Sequence, residues 1–169
     1  MSVVHHVFFH RSKAPTAQQW SDAIRAAGFD MTLDPSCEFE THDGGWPCRY
    51  RELDAGFEFG SFSFADFRAA LEEDEDEYRF TAEQLQMLGD RDWVIEFITH
   101  SGFDDLATAV IAAGVLADIT GACFWYAGDA ELMPASKALD WAREQEEQIL
   151  PEIENEKERR ERSLAQSDD

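Results

Sequence analysis

The chain has 169 residues, with 36 Asp+Glu against 14 Lys+Arg and a formal net charge of −22. Hydrophobic residues make up 44% of it, 13 Phe and 5 Trp among them, which is too apolar for a disordered acidic tail. At this length roughly 70% of the unfolded surface can be buried without help from a disulfide or a metal, and the charge opposes direct binding to nucleic acid or an anionic membrane.

Val3 to Phe9 is a β-branched and aromatic run that reads as a strand, and Thr16 with Gln19 has the spacing of a capping box opening a helix. Trp20, Ala23, Ile24 and Ala27 recur on one face of that helix, and Gly28 is its stop. From Phe29 to Phe64, Asp34-Pro35, Asp43-Gly44-Gly45 and Asp54-Ala55-Gly56 punctuate two or three antiparallel strands. Phe57 and Phe59 share one strand face and Phe62 and Phe64 the other, which predicts a bulge or strand end near Gly60-Ser61.

Ser63 and Asp66 open a short helix carrying Phe64, Phe67 and Leu71, and Thr81 with Gln84 repeats the capping box ahead of Leu85, Leu88 and the stop at Gly89. Trp93 to Thr99 is the clearest strand, apolar on both faces. Leu106 to Ile119 is helical in length and apolar around most of its circumference, so it packs on the sheet. Gly114 inside it implies a close backbone approach. Ala122 to Tyr126 reads as a last strand. The final helix starts near Ala135 or Ser136, is interrupted or kinked at Pro151, and continues as a polar stretch with favourable Glu156/Arg160 and Glu158/Arg162 spacing. The order predicts an α+β fold, a largely antiparallel sheet with helices packed against it and a long C-terminal helix. Residues 1–150 form one domain in this reading, and residues 151–169 a polar helical extension that frays.

The opening residues lack a basic segment and a long enough apolar run for a signal peptide, and no window reaches the ~18 apolar residues of a membrane span, so a cytoplasmic location is expected. Cys37, Cys48 and Cys123 are odd in number and irregularly spaced, which favours reduced thiols.

Three sets of side chains invite a chemical reading. His5, His6 and His10 are close in sequence, but strand geometry sends His5 to the face opposite His6 and His10. Cys37, His42 and Cys48 could offer three zinc ligands across a hairpin, without a C-x2-C pair or a fourth ligand; a nucleophilic Cys48 would need a lowered pKa among many carboxylates. Glycine-rich phosphate loops, a nucleophile elbow and an EF-hand pattern are missing from the sequence. The expectation is therefore a protein that is not an enzyme, with no catalytic residues, metal site or cofactor.

The acidic run Glu72, Glu73, Asp74, Glu75, Asp76 and Glu77 is the most informative surface feature. Mutual repulsion and an unfavourable helix end give it no local stabilising role, so it is a solvated loop or a landing site for a basic partner, with the flanking Tyr78 and Phe80 as aromatic anchors or as core residues. Trp46, in Gly45-Trp46-Pro47-Cys48-Arg49-Tyr50, is a further candidate contact, as a recognition loop or as a hairpin whose aromatics cover the sheet.

The segment Pro-Thr-Ala-Gln-Gln-Trp-Ser-Asp-Ala-Ile-Arg-Ala-Ala-Gly-Phe, the middle Gly-Trp-Pro-Cys-Arg-Tyr with Ala-Gly-Phe-Glu-Phe, and the late Val-Leu-Ala-Asp-Ile-Thr-Gly-Ala-Cys-Phe-Trp-Tyr resemble small bacterial immunity proteins of polymorphic toxin systems. The likeness spans Val3 to Glu144 loosely and its motifs are structural. It implies a cytosolic protein that binds and neutralises a cognate toxin through an acidic, aromatic-flanked surface; it assigns no binding residue by position. The alternatives are an acidic nucleic-acid mimic that binds DNA-binding proteins, and a small metal-binding domain.

Overall fold

A computed structural model describes residues 2–73, 79–100, 102–126 and 131–167. In chain order the elements are β1 (Val3–Phe9), a 3-10 turn (Arg11–Lys13), α1 (Ala17–Ala26), β2 (Met31–Leu33), β3 (Gly44–Tyr50), β4 (Leu53–Ser63), α2 (Phe64–Glu73), α3 (Ala82–Leu88), β5 (Trp93–Thr99), α4 (Phe103–Thr120), β6 (Cys123–Tyr126), β7 (Leu132–Pro134), a second 3-10 turn (Ala135–Lys137) and α5 (Ala138–Ser167). The strands form one sheet in the order β2-β3-β4-β5-β1-β6-β7, every neighbouring pair antiparallel. The α+β architecture is the one expected from the sequence.

Both capping boxes form. Thr16 Oγ1 accepts from the Gln19 amide while the Gln19 side chain accepts from the Thr16 amide, and Thr81 and Gln84 repeat the exchange. Each satisfies two amides that the first helical turn leaves without an internal partner.

Helices α1, α4 and α5 lie on one sheet face. Val7, Phe9, Met31, Leu33, Trp46, Phe57, Phe59, Ile95, Phe97 and Phe124 point toward them and are buried. Helix α4 is buried along most of its length, from Ala107 to Ala117, because the sheet covers one side and α5 the other. Its small residues let α5 come close: a Cβ built on Gly114 would lie 2.6 Å from Ala142 Cβ and 2.9 Å from the Ala138 carbonyl oxygen. Long-range hydrogen bonds lock this layer in register. Trp20 Nε1 donates to the Ala112 carbonyl (3.1 Å), the Leu33 amide to Ser21 Oγ (3.0 Å) and Tyr50 Oη to Glu146 Oε1 (2.7 Å).

The opposite sheet face carries a smaller cluster. Phe8, Leu88, Val94, Cys123, Trp125 and Leu132 are buried there, with Phe64, Phe67, Phe80 and Leu85 packed against them. Helices α2 and α3 thus cover only the β5-β1-β6-β7 part of that face.

Two expectations change. The predicted bulge near Gly60-Ser61 is absent: β4 pairs with β5 in unbroken register from Glu58–Ile98 to Ser63–Trp93. Phe57 and Phe59 lie on the face with the larger core and Phe62 on the other, so one regular strand serves both faces. The final helix, expected to be interrupted or kinked at Pro151, is not interrupted there: α5 runs through it to Ser167. Its ring removes one amide donor at an exposed position, where water can take the freed carbonyl. Beyond Ile153, the last residue packed on the core, residues 154–165 extend for about 18 Å of helix with almost every side chain exposed. Asp168 and Asp169, the end expected to fray, lie outside the described residues.

Gly114→Ala is expected to lower stability by about 1–3 kcal/mol, because its neighbours are a backbone carbonyl and another Cβ rather than a flexible side chain. Helix propensity alone would make the same change stabilising by ~1 kcal/mol. The sign of the shift in the urea midpoint, at constant slope, separates the two.

Candidate functional site

Glu72 and Glu73 form the last turn of α2. This helix begins where Ser63 Oγ accepts the Asp66 amide (3.1 Å), and it turns Phe64 and Phe67 onto the smaller apolar cluster, leaving its acidic end exposed. Arg68 Nε donates to Glu72 Oε1 at 3.0 Å, an exposed i,i+4 pair of little energetic weight. Asp74, Glu75, Asp76, Glu77 and Tyr78 lie outside the described residues. Phe80 packs among Phe8, Phe64 and Trp125 with ring centroids 5.8–5.9 Å apart, so it belongs to the smaller core.

Trp46 is not a surface contact. It is 0% exposed and sits at the centre of an aromatic cluster, with ring centroids 5.3 Å from Trp20, 4.9 Å from Phe59 and 5.0 Å from His42. Alternation along β3 is the reason. Trp46, Cys48 and Tyr50 face the larger core, whereas Gly45, Pro47 and Arg49 face solvent.

The exposed surface is instead the half of the second sheet face that α2 and α3 leave bare. Thr32, Gly45, Pro47, Arg49, Asp54 and Glu58 are exposed on it, and Glu96 and Ile98 are half-buried. Phe62 stands at its margin, 40% exposed, with its ring folded back over Gly60, where a Cβ would lie 2.9 Å from it. Cross-strand pairs organise the charge: Arg49 with Asp54 (2.6 Å), His100 Nε2 with Glu58 Oε2 (2.8 Å) and His6 Nε2 with Glu96 Oε2 (2.9 Å). The alternation Phe57-Glu58-Phe59 signals that Glu58 faces outward. The pairing with His100, 42 positions away, has no local signal.

Beside this face, a shallow cleft of about 470 Å³ opens between Gly45, Pro47, Gly56, Glu58, His100 and Asp105. Here β4 runs past the end of β5, and α4 completes its hydrogen bonding: the Gly56 amide donates to Asp105 Oδ1 (3.0 Å) and Thr108 Oγ1 reaches the Gly56 carbonyl (3.3 Å). Burial raises the pKa of Asp105 and the neighbouring Asp104 adds to it, while the Gly56 amide opposes both. The geometry makes Asp105 a strand cap.

The three histidines do not converge. His5 is buried toward α5, stacked on Tyr126 (5.1 Å) and edge-on to Trp141 (5.6 Å), with both ring nitrogens lacking a hydrogen-bond partner. His6 points to the opposite face, and His10 lies beyond the strand with Nε2 3.3 Å from Asp90 Oδ1. Of the other set, His42 Nε2 bonds the Gly45 carbonyl oxygen (2.8 Å). Burial drives the Cys48 thiol pKa strongly upward, with Asp105 adding to it, and burial raises Cys37 and Cys123 as well. Such thiols stay protonated and are poor nucleophiles. Among the described residues, no three His, Cys, Asp or Glu side chains are grouped so as to hold a metal ion, and no helix is long and apolar enough to cross a membrane.

Compared with protein-family models, with curated proteins and with solved structures, the chain finds no match in any of the three.

The environment of His5 sets a pH dependence. Burial, and next the charge of His6, lower its pKa from 6.5 to about 3, so the folded chain keeps it neutral while the unfolded chain protonates it. Its contribution is intact above pH 6.5 and is lost as the pH falls from 6.5 toward 3. Between pH 7 and pH 5 this amounts to about 2 kcal/mol. His5→Phe is expected to lose that much less stability than the wild type over the same interval, as measured by urea unfolding at the two pH values.

Proposed function

We propose that the protein is a cytoplasmic inhibitor of the immunity-protein kind, which binds a cognate bacterial toxin domain and neutralises it without chemistry of its own. The observation that carries this reading is the bare half-sheet, where an exposed aromatic ring stands among carboxylates on a molecule of net charge −22. The resemblance of the Pro15–Phe29, Gly45–Tyr50 and Val115–Tyr126 segments to immunity proteins points the same way.

The partner that fits is a protein with a cationic surface, such as a toxin whose substrate channel is basic. The acidic field draws it in, and the carboxylates of Asp54 and Glu58, with Glu72 and Glu73 at the end of α2, bias its orientation. Phe62 then supplies the desolvated contact in place of Trp46, since a few buried aromatic anchors dominate the affinity of such interfaces. Occlusion of the toxin's channel follows from the fit of the two surfaces.

Co-expression with a cognate toxin domain is expected to restore growth, and the purified pair to form a stoichiometric complex. Glu58→Gln combined with Glu72→Gln should slow association severalfold at low salt, the difference closing at high salt. Phe62→Ala should weaken affinity about tenfold, chiefly through faster dissociation. Failure of the wild-type protein to protect or to form a complex would overturn the reading.

A further inference from the structure

Basic side chains are scarce in this chain, 14 against 36 carboxylates, yet three arginines line a single cleft. Arg11, Arg68 and Arg91 surround a space of about 690 Å³ between the first 3-10 turn, one face of α2 from Phe64 to Glu72 and the turn joining α3 to β5. Trp93 and Phe64 line it too, and the carboxylates in its wall are those of Glu72 and Asp92.

Each arginine is held differently. Arg11 lies with Cζ 4.4 Å from the centre of the Trp93 ring, an orientation fixed further by its backbone amide, which donates to Asp92 Oδ1 (2.9 Å). Among the described residues its guanidinium makes no ion pair. Stacking on the ring presets the guanidinium while leaving its in-plane N–H groups free. Among the described residues Arg68 is engaged only through Nε, by the exposed Glu72 carboxylate, with no partner for its terminal nitrogens. Arg91 is rigid, with Nη1 donating to the Met87 and Leu88 carbonyls (2.9 and 3.0 Å) and Nη2 to the Gly121 carbonyl (2.9 Å). It contributes a fixed positive charge. Ser63 and Ala65 place the start of α2 at the same wall, where the Phe64 amide donates to the Asp92 carbonyl and the Asp66 amide to Ser63 Oγ.

We propose that this cleft binds a phosphorylated small molecule through its phosphate oxygens. Guanidinium groups match phosphate with paired N–H donors, and the cleft has the volume of a small-molecule site. The terminal oxygens of a phosphate can accept from more of these guanidinium N–H donors at once than the two oxygens of a carboxylate can. Carboxylates more than ~8–10 Å from the cleft are screened at physiological ionic strength, while Asp66 and Glu73, next to the wall residues Ala65 and Glu72, oppose the bound anion at short range. The site does not depend on the toxin-binding reading, and it lies at the edge of the sheet where β1 and β4 end and β5 begins, rather than on the bare half-sheet.

Calorimetric titration of the full chain with inorganic pyrophosphate, ATP and adenosine tests the proposal. Pyrophosphate and ATP are expected to bind, more weakly as salt is raised, and adenosine is not. Comparable pyrophosphate and ATP affinities would assign recognition to the phosphates alone, and tighter ATP binding a nucleotide. The double variant Arg11→Gln/Arg68→Gln should lose at least about tenfold in affinity, and Glu72→Gln should gain affinity. Arg91 is left intact because it caps α3. If the glutamine variant is poorly folded by circular dichroism, Arg11→Lys/Arg68→Lys replaces it; this keeps the charge, removes the paired donors and is expected to weaken binding by a smaller factor. A shift of the Trp93 indole N–H resonance on adding pyrophosphate places the ligand. The proposal is overturned if pyrophosphate produces no heat at millimolar concentration, if binding is unchanged in the variants, or if adenosine binds as well as ATP.

Discussion

Helix α4 has the sheet on one side and α5 on the other, and its burial is what the rest of the molecule is arranged around. A helix apolar around most of its girth must be covered all round, and here Ala112, Ala113, Gly114 and Ala117 keep it thin enough for two layers to close over it. Trp20 reaches a carbonyl in the middle of α4, and Asp105 and Thr108 at its start complete the backbone of β4 where β5 has ended. The same closure puts Trp141 of α5 over His5 and thereby makes a neutral imidazole a condition of the native state. The polar end of α5 projects past the core because α4 and the sheet stop before it does.

Three helices serve one sheet face and two short ones serve part of the other, and this asymmetry decides where a partner can be met. On the fully covered face every large side chain of β3 and β4 is committed to packing, Trp46 included. The other face is bare over β2, β3 and the first part of β4, and the exposed groups there are glycine, proline and paired charges. Phe62 stands where the covered and bare regions meet. Among the described residues Met87, Ile119 and Leu164 are equally or more exposed but lie on helices, so Phe62 is the large hydrophobic side chain that the sheet itself offers, while the acids are spread over most elements.

Charge divides the surface in a way that the net value hides. Most carboxylates face solvent and generate a field suited to a cationic protein, while three of the few arginines share one cleft. Separation on this scale survives physiological salt, because the screening length is shorter than the distance across a domain of this size. Two opposite electrostatic characters can therefore coexist on one small molecule.

The features that the sequence determined by itself are those set within a few residues: the two capping boxes, the glycine stops after α1, α3 and α4, the two-sided apolar alternation of β5, and the order of elements that makes the fold α+β. Each depends on bonds or spacings no longer than a helical turn, so neighbouring residues suffice to specify it. Of the candidate site, the outward direction of Glu58 and the exposed end of the Ser63-capped helix at Glu72 and Glu73 were legible in this way. Only the tertiary structure decided that Trp46 is core, that Phe62 is exposed, that β7 pairs with β6, and that Arg11 meets Arg68 and Arg91. Alternation along a strand assigns side chains to two faces but does not say which face a helix will cover. That choice comes from the packing of α4 and α5, formed some 60 to 100 residues further along the chain than Trp46.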